Sequence, residues 1–186
     1  TFGTSGNRMK LRFFGSFNYS QNIIKEENWL TTAYEKGVPM GGDLKNSTGK
    51  APSFIVQTTK DANGANLDRV QIIKAWLDAS GETHEKIFDI ALSDGRTDGS
   101  IPVGNTVDLK TAKYSNDIGD VEFFTIWTDP DFEPSQSAFY YVRVLEIPTP
   151  RWSTYDAVKS GIPVRSDIPS TIQERGWSSP IWYKSH

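Results

Sequence analysis

The sequence predicts a mainly β fold: an antiparallel β-sandwich with one short helix and two long irregular excursions. Two observations support this prediction. Six or seven short segments show the alternation, or the β-branched and aromatic enrichment, that is typical of strands. Units in which strands alternate with helices, which would indicate a parallel sheet, do not occur in the pattern. With 186 residues, the chain is long enough to form one domain around a substantial core.

The N-terminal part predicts a strand followed by the helix. Residues 9–13 alternate apolar and basic side chains, which places the three apolar ones on one face of a strand. A helix is predicted over Glu26–Lys36, because acidic residues occupy its first turn and Gly37 follows as a stop signal. The segment Pro39–Gly42 then breaks the chain again.

The middle of the chain predicts three strands joined by tight turns. The strands are expected at Ser53–Lys60, Leu67–Asp78 and Glu85–Ser93. Asn63-Gly64 lies between the first two, and this pair accepts the positive φ angles that tight hairpins require. The third strand alternates apolar and polar residues, which indicates a half-buried strand.

The C-terminal part combines strong strands with the two irregular excursions. Residues 94–120 and 148–175 show no sustained periodicity, and the second stretch has the pattern of a short helical turn near Tyr155–Lys159. Strands are expected at Glu122–Thr128 and Ala138–Ile147, and Ser179–Tyr183 is predicted to be a last, short edge strand because it contains a proline.

Composition excludes several classes of function. The net charge is −3 and no segment concentrates basic residues, so the footprint of a nucleic-acid-binding protein is missing. The apolar runs are far shorter than the roughly 20 residues of a membrane-spanning helix. The absence of cysteine removes thiolate nucleophiles, zinc–thiolate sites and disulfides together.

No residue is assigned a catalytic, metal-binding or cofactor-binding role from the sequence. The two histidines are His84, predicted to be an exposed turn residue, and His186. Two histidines are too few to indicate a serine triad or a zinc site. The segment Asp61–Asn66 resembles a calcium loop only faintly, and a hairpin turn is the preferred interpretation. Acidic residues also crowd two loops, and a bound cation there is the alternative to simple solvation: Asp94, Asp98, Asp108, Asp129, Asp131 and Glu133.

The aromatic residues offer a second alternative, a platform for sugars. Of the six tryptophans, Trp76 and Trp127 lie inside predicted strands and are expected in the core. Trp152 and Trp177 lie in irregular segments and are the ones expected at the surface. Arg143, within a predicted strand, is expected to point inward and to need a carboxylate partner.

Several long stretches resemble a known family. They cover nearly the whole chain: Thr1–Gly6, Arg8–Phe14, Gly37–Leu44, Ala65–Lys74, Pro102–Leu109, Trp127–Phe132, Ala138–Trp152 and Ile172–Trp182. Together they resemble the C-terminal portion of the bacterial proteins grouped as domain of unknown function 3604. That family is similar to the PHP (polymerase and histidinol phosphatase) superfamily of metal-dependent hydrolases.

The resemblance implies a role for this chain as a single accessory domain over residues 1–186. It implies an immunoglobulin- or fibronectin-like sandwich that follows a catalytic domain, with residues 1–8 as the junction. The divalent metal would then lie in the catalytic domain, because none of the His-rich motifs occurs in this chain. The partner would be that domain of the same polypeptide, and no other ligand is identified.

Six residues are the candidates for the interface or the substrate entrance. They are Gly41, Gly42, Asp43, Arg151, Trp152 and Trp177. The bacterial periplasm or the exterior is favoured by the resemblance alone. The alternative function is a stand-alone carbohydrate- or calcium-binding β-sandwich module.

Overall fold

The computed structural model describes residues 1–45 and 49–185, which form a mainly β fold. The helices are α1 (Trp29–Lys36) and α2 (Trp152–Ser160), and a 3-10 turn covers Ile23–Lys25. The strands are β1 Phe2–Thr4, β2 Lys10–Ser16, β3 Val38–Pro39, β4 Asp43–Leu44, β5 Ser53–Thr59, β6 Leu67–Leu77, β7 Thr83–Leu92, β8 Glu122–Thr128, β9 Ala138–Glu146, β10 Thr149–Pro150, β11 Thr171–Ile172, β12 Arg175–Ser178 and β13 Ile181–Tyr183. The mainly β prediction is confirmed.

The larger sheet is built around β9. One edge of β9 pairs with β6, which in turn pairs with β7. The other edge of β9 pairs first with β13 and then with β12. Each of these two carries one more short strand, since β4 lies beside β13 and β1 lies beside β12. The β4–β13 pairing is parallel, whereas the others in this sheet are antiparallel.

The smaller sheet has the order β3-β2-β5-β8 and is antiparallel throughout. Its inner face packs on the inner face of the larger sheet, and aromatic rings meet across the interface. The Phe54 ring of β5 lies 4.5 Å, centroid to centroid, from the Tyr140 ring of β9. The shared core includes apolar side chains from both sheets: Met9, Leu11, Phe13, Val56, Leu67, Val70, Ile72, Val142, Val144, Ile181 and Tyr183. A two-layer β-sandwich follows, because neither sheet could bury this face alone.

The outer face of the smaller sheet is covered by α1 and the 3-10 turn before it. Trp29 of α1 packs on Phe124 of β8 with 4.7 Å between ring centroids, and Tyr34 packs edge-on against Phe14 of β2. Tyr19 donates a hydrogen bond of 2.7 Å to the main-chain oxygen of Ala33, which fixes the helix to the sheet. This helix therefore supplies the sheet with its second apolar layer.

The first excursion, residues 94–120, is closed at its base by side chains that flank the strands β6 and β7. The side-chain nitrogen Nδ2 of Asn66 donates to the main-chain oxygens of Asn116, Ile118 and Gly119 at 3.1, 2.9 and 3.1 Å. The main-chain nitrogen of Gly119 donates in turn to the carboxylate of Asp94, at 2.9 Å to the nearer oxygen. The predicted irregular stretch is confirmed, and these bonds explain why it has a defined path without regular structure.

Several details differ from the sequence-based expectations. The helix begins at Trp29 rather than Glu26, and the second excursion holds a full helix, α2, where only one turn near Tyr155–Lys159 was predicted. The prediction that Ser179–Tyr183 is an edge strand is wrong, because β13 lies between β9 and β4. His186 lies outside the described residues.

The prediction for Arg143 is also wrong. Its neighbours Val142 and Val144 face the core, so strand alternation turns Arg143 outward. Its partner is an amide rather than a carboxylate, since Arg143 Nε donates to Gln71 Oε1 at 2.8 Å.

Candidate functional site

The outer face of the larger sheet carries apolar side chains on several adjacent strands. On β9, Tyr140 and Val142 are buried in the core, so Phe139 and Tyr141 point outward. Strand register extends this face to both sides. Trp182 of β13 lies opposite Phe139, and Trp177 of β12 lies opposite Arg143. We refer to this surface as the open face: Ala75, Leu77, Ile87, Phe139, Tyr141, Trp177 and Trp182. Ile73 points to the same side of the sheet but is fully buried.

The open face is aromatic and accessible. Its rings are in mutual contact, with 4.9 Å between the centroids of Phe139 and Trp182 and 6.4 Å between those of Phe139 and Tyr141. The exposed fractions are 43% for Trp182, 36% for Trp177 and 48% for Leu77. An apolar patch on adjacent strands differs from singly scattered surface residues, which makes this face a candidate site of interaction.

A hollow of about 390 Å³ opens in this face beside Trp182. Ala75 lies in its lining, where a small side chain leaves room between the larger Leu77 and Phe139. Polar groups are confined to a few neighbours, among them Thr83 and Lys184. The hollow is therefore shaped for an apolar group rather than for a charged one.

The two outer faces of the sandwich differ in whether a helix covers them. On the smaller sheet, α1 covers Phe14 and Ile55, and these buried side chains form a second hydrophobic cluster with Ala33 of the helix. Among the described residues, no helix packs in this way on the open face. Within the described part of the chain, the open face is therefore the outer face of the sandwich that lacks a covering helix.

A cluster of three ionisable side chains lies next to the hollow. One ligand atom from each of Asp78, Glu82 and His84 falls within 4.8 Å of the others. The carboxylate of Asp78 is already engaged, since it accepts hydrogen bonds from Ser80 and from the main-chain nitrogen of Glu82 and pairs with His84 Nε2 at 2.7 Å. The hydrogen bonds from Ser80 and His84 hold the pKa of Asp78 well below its usual range. This arrangement caps the β6–β7 hairpin.

His84 differs from its prediction as an exposed turn residue. It lies in β7, its side chain is 40% exposed, and its ring stacks on Trp76 with 5.3 Å between centroids. Stacking on Trp76 and the contact with Asp78 together fix the orientation of the His84 ring.

The other acidic positions are also engaged, either within their own loops or by a residue of a neighbouring segment. Asp61 accepts main-chain hydrogen bonds from Asn63 and Arg8, which stabilise a turn at this point. The predicted hairpin at Asp61–Asn66 is wrong, however, because β5 and β6 do not pair and belong to different sheets. The acids of the two long loops have partners of the same kind: Asp94 with Gly119, Asp98 with Ser100, Asp108 with Lys110 and Thr111, Asp131 with Lys86, and Glu133 with Ser135. Each bond favours a structural role for its carboxylate.

One of these acids belongs to a buried network between the sheets. Asp129 and Lys74 have side chains that are 0% and 3% exposed, and their charged groups lie 2.7 Å apart. Tyr140 donates to the same carboxylate at 2.7 Å, and Lys74 also donates to the main-chain oxygen of Asp131. Burial and the neighbouring Asp129 raise the pKa of Tyr140.

A second buried acid, Glu146, ends β9 beneath the N-terminal segment. Burial raises its pKa from 4.5 to about 7, and the charges of Glu174 and Asp61 contribute in the same direction. The charge of Lys60 lowers the pKa by a smaller amount. Glu146 Oε1 and both polar side-chain atoms of Asn7 are buried without a hydrogen-bond partner among the described residues.

Four of the six predicted interface residues lie at or beside the open face. Trp177 belongs to it directly, and Asp43 lies opposite Trp182 in the β4–β13 pairing. The turn before Asp43 is tied to the same strand, because Gly41 N donates to Pro180 O and Gly42 O accepts from Trp182 N, at 2.8 and 3.0 Å. The structure thus brings Gly41, Gly42, Asp43 and Trp177 into one region.

The remaining two, Arg151 and Trp152, lie elsewhere. They begin α2 beyond the C-terminal end of β9, whereas Trp182 pairs near its N-terminal end, at Phe139. Trp152 is 67% exposed, as expected, and Arg151 Nε is buried without a partner among the described residues. Sequence reasoning missed Trp182 and Phe139, although the alternation in Ala138–Glu146 already placed Phe139 and Tyr141 on one face.

Within the described residues, neither helix has the length and apolarity needed to span a membrane.

Comparison with known proteins gives a family but not an activity. No curated protein matches the chain. No solved structure matches it. One family model matches residues 1–185, so almost the whole chain is covered. The chain therefore belongs to the family described as "Protein of unknown function (DUF3604)".

Proposed function

We propose that this chain is a non-catalytic accessory domain of a bacterial metal-dependent hydrolase similar to the PHP superfamily. In this proposal, a catalytic domain precedes Thr1 in the polypeptide and holds the divalent metal. The present domain braces that catalytic domain or shapes the entrance to its active site. The observation that carries the proposal is the open face, an accessible aromatic surface on a domain whose other sheet is covered by its own helix.

The strand order supports a fibronectin-like form of the sandwich. If β12 and β13 count as one interrupted strand, seven principal strands remain. The first, second and fifth (β2, β5 and β8) form the smaller sheet, and the third, fourth, sixth and seventh form the larger one. Immunoglobulin-related sandwiches divide their strands between two sheets in a similar way. Tyr140, early in the sixth strand, bonds back to Asp129 in the preceding connection, which resembles a tyrosine corner.

The condition of the ionisable residues also supports an accessory role. Most carboxylates in the loops accept hydrogen bonds from nearby residues, and the most deeply buried one, Asp129, is paired with Lys74. Glu146, whose Oε1 has no partner among the described residues, is buried away from solvent. A general acid or base must instead reach a substrate in a cleft. In this proposal, the chemistry is therefore located in the preceding domain.

The test is an assay of the complete polypeptide encoded by the gene, with and without added manganese, against phosphoesters and other hydrolysable substrates. We expect metal-dependent hydrolysis that is unchanged, within about twofold, in the variants Asp98→Asn, Asp108→Asn and Glu133→Gln. These residues lie in exposed loops of the present domain. Loss of activity in any one of them, without loss of folding, would place the reaction in this domain and overturn the proposal.

A carbohydrate-binding module is the second candidate, because the open face presents two accessible tryptophans, Trp177 and Trp182. Sugar rings stack on such surfaces, but their hydroxyl groups also need polar partners. Titration of the protein with polysaccharides, followed by tryptophan fluorescence, distinguishes the candidates. A saturable change that disappears in Trp182→Ala would favour the sugar-binding function, whereas an unchanged signal favours the accessory role.

A further inference from the structure

The first strand of the chain leads directly to the open face. β1 is antiparallel to β12, with Thr4 opposite Gly176 and Phe2 opposite Ser178. The pairing continues one step further, because Ser179 N donates to the main-chain oxygen of Thr1 at 2.9 Å. Followed backwards from Thr4 to Thr1, the chain therefore runs along β12 towards β13.

The position reached at Thr1 lies close to the hollow. Trp182 is three residues beyond Ser179, which corresponds to roughly 10 Å along an extended chain. The turn at Gly41 and Gly42 lies on the same side, bonded to Pro180 and Trp182. A polypeptide segment that enters at Thr1 thus approaches the hollow from the side on which Trp182 lies.

The turn that flanks this entry point has a fixed shape. Gly41 has a φ of +90°, a conformation that side chains disfavour. A Cβ on Gly42 would lie 2.9 Å from Val38 Cβ and 3.0 Å from the main-chain oxygen of Pro39. The turn is therefore a close-packed corner next to Trp182, suited to contact with another rigid surface.

From these observations we infer that the hollow beside Trp182 and Phe139 is the docking site for the domain that precedes Thr1. This inference rests on the proposed function, and it adds the location and chemistry of the contact. The hollow receives an apolar side chain of the preceding domain, with Ala75 and Leu77 in the lining and Trp182 as the aromatic anchor. Interfaces of this kind concentrate their binding energy in a few central, buried aromatic residues.

The chemistry of the hollow favours this occupant over a sugar. Its accessible surface is largely apolar, although Thr83, His84, Ser137 and Lys184 contribute to the lining. A sugar placed there would bury hydroxyl groups with few partners, which costs free energy. An apolar side chain would leave no such group unpaired. The tether through β1 also keeps the preceding segment at a high effective concentration near the hollow, so a modest contact area suffices.

The direct test uses a photo-cross-linking residue, p-benzoylphenylalanine, in place of Trp182 in the complete polypeptide. The matched control carries the same residue in place of Trp152, which is more exposed but lies on α2. We expect an intramolecular cross-link from position 182 to residues before Thr1 and none from position 152. Cross-links from position 182 only to a second copy, or none at all, would overturn the inference.

A second measurement asks whether the hollow stabilises the contact. Ala75→Glu places a carboxylate in the apolar hollow, and we expect protease cleavage within residues 1–8 of the complete polypeptide to accelerate by about tenfold. Trp152→Ser is the control and should leave the cleavage rate unchanged. An unchanged rate in Ala75→Glu would contradict the inference.

Metal-dependent hydrolysis is assayed on the same preparations to separate the two proposals. If hydrolysis is present but neither the cross-link nor the cleavage result appears, the docking site is wrong and the accessory function stands. If the complete polypeptide has no hydrolase domain before Thr1, both fall together.

Discussion

Replacing Lys74 by methionine should destabilise the domain strongly. Lys74 and Asp129 form an ion pair at 2.7 Å with side chains that are 3% and 0% exposed. Removal of the ammonium group leaves the buried carboxylate with only its hydrogen bonds from Tyr140 and the main chain of Asp131. Breaking one partner of a buried pair costs about 3–5 kcal/mol of unfolding free energy. For a chain of this size, that corresponds to a fall in melting temperature of roughly 6–20 °C.

The assay is urea and thermal unfolding, followed by tryptophan fluorescence, and its control is a similar pair at the surface. Lys86 contacts Asp131, but both side chains are about half exposed. Exposed pairs contribute about 0–1 kcal/mol, so Lys86→Met should change stability by no more than that.

A double-mutant cycle then isolates the pair itself. Lys74→Met combined with Asp129→Asn should cost less than the sum of the single changes, because the second change removes the uncompensated charge. A loss below about 1 kcal/mol in Lys74→Met alone, or strict additivity in the cycle, would refute the reasoning that this ion pair is buried and coupled.

Three further predictions concern other parts of the fold. Because the raised pKa of Glu146, about 7, favours its neutral form in the fold, its contribution is fully present below pH 4.5 and is lost as the pH rises through 7. Glu146→Gln should therefore be more stable than the parent at pH 8 and gain little at pH 4, as measured by urea unfolding at both pH values. Gly119 has a φ of +80°, and a Cβ there would lie 2.6 Å from Ile147 Cγ2, so Gly119→Ala should cost more than about 2 kcal/mol. Gly81→Ala, with a similar φ but open space, should cost about 1 kcal/mol, and equal losses in thermal unfolding would contradict the packing argument. Asn66→Ala leaves three main-chain oxygens without their donor, so hydrogen exchange should accelerate across residues 94–120 before global unfolding, and an unchanged pattern would show that other contacts hold the excursion.

The long strands could be predicted because each has a local cause. In β9, alternation separates core residues such as Tyr140 from outward ones such as Phe139. The turn at Asp61–Gly64 is also local, since Gly64 N donates to Asp61 O, but neither Asn63 nor Gly64 adopts the predicted positive φ. Signals of this kind depend only on neighbours in the chain, so the sequence contains them in full.

The short strands and the second helix could not be predicted in the same way. β4 has two residues and depends on its pairing with β13, which is about 140 residues away in the chain. β1 likewise depends on β12. The N-cap residue of α2 is Arg151, which makes no side-chain capping hydrogen bond, so the usual start signal is missing.

The candidate site was only partly predictable for a related reason. The sequence singled out Gly41, Gly42, Asp43 and Trp177. Their proximity to Trp182, however, depends on pairings between strands that are distant in the chain. An exposed tryptophan inside a predicted strand is indistinguishable from a core one until the sheet is assembled, because alternation identifies two faces without saying which is covered.

The pairing of β1 and β4 with β12 and β13 has a consequence for how the chain reaches its native state. Residues near position 3 and position 43 find their partners only at positions 175–183. The larger sheet thus has a high contact order, and its closure must wait until those last strands have been synthesised. During translation, β9 would remain with one edge unpaired, a transient template for intermolecular strand addition. The domain should accordingly fold late and cooperatively, with its two ends joining the sheet in a single final step.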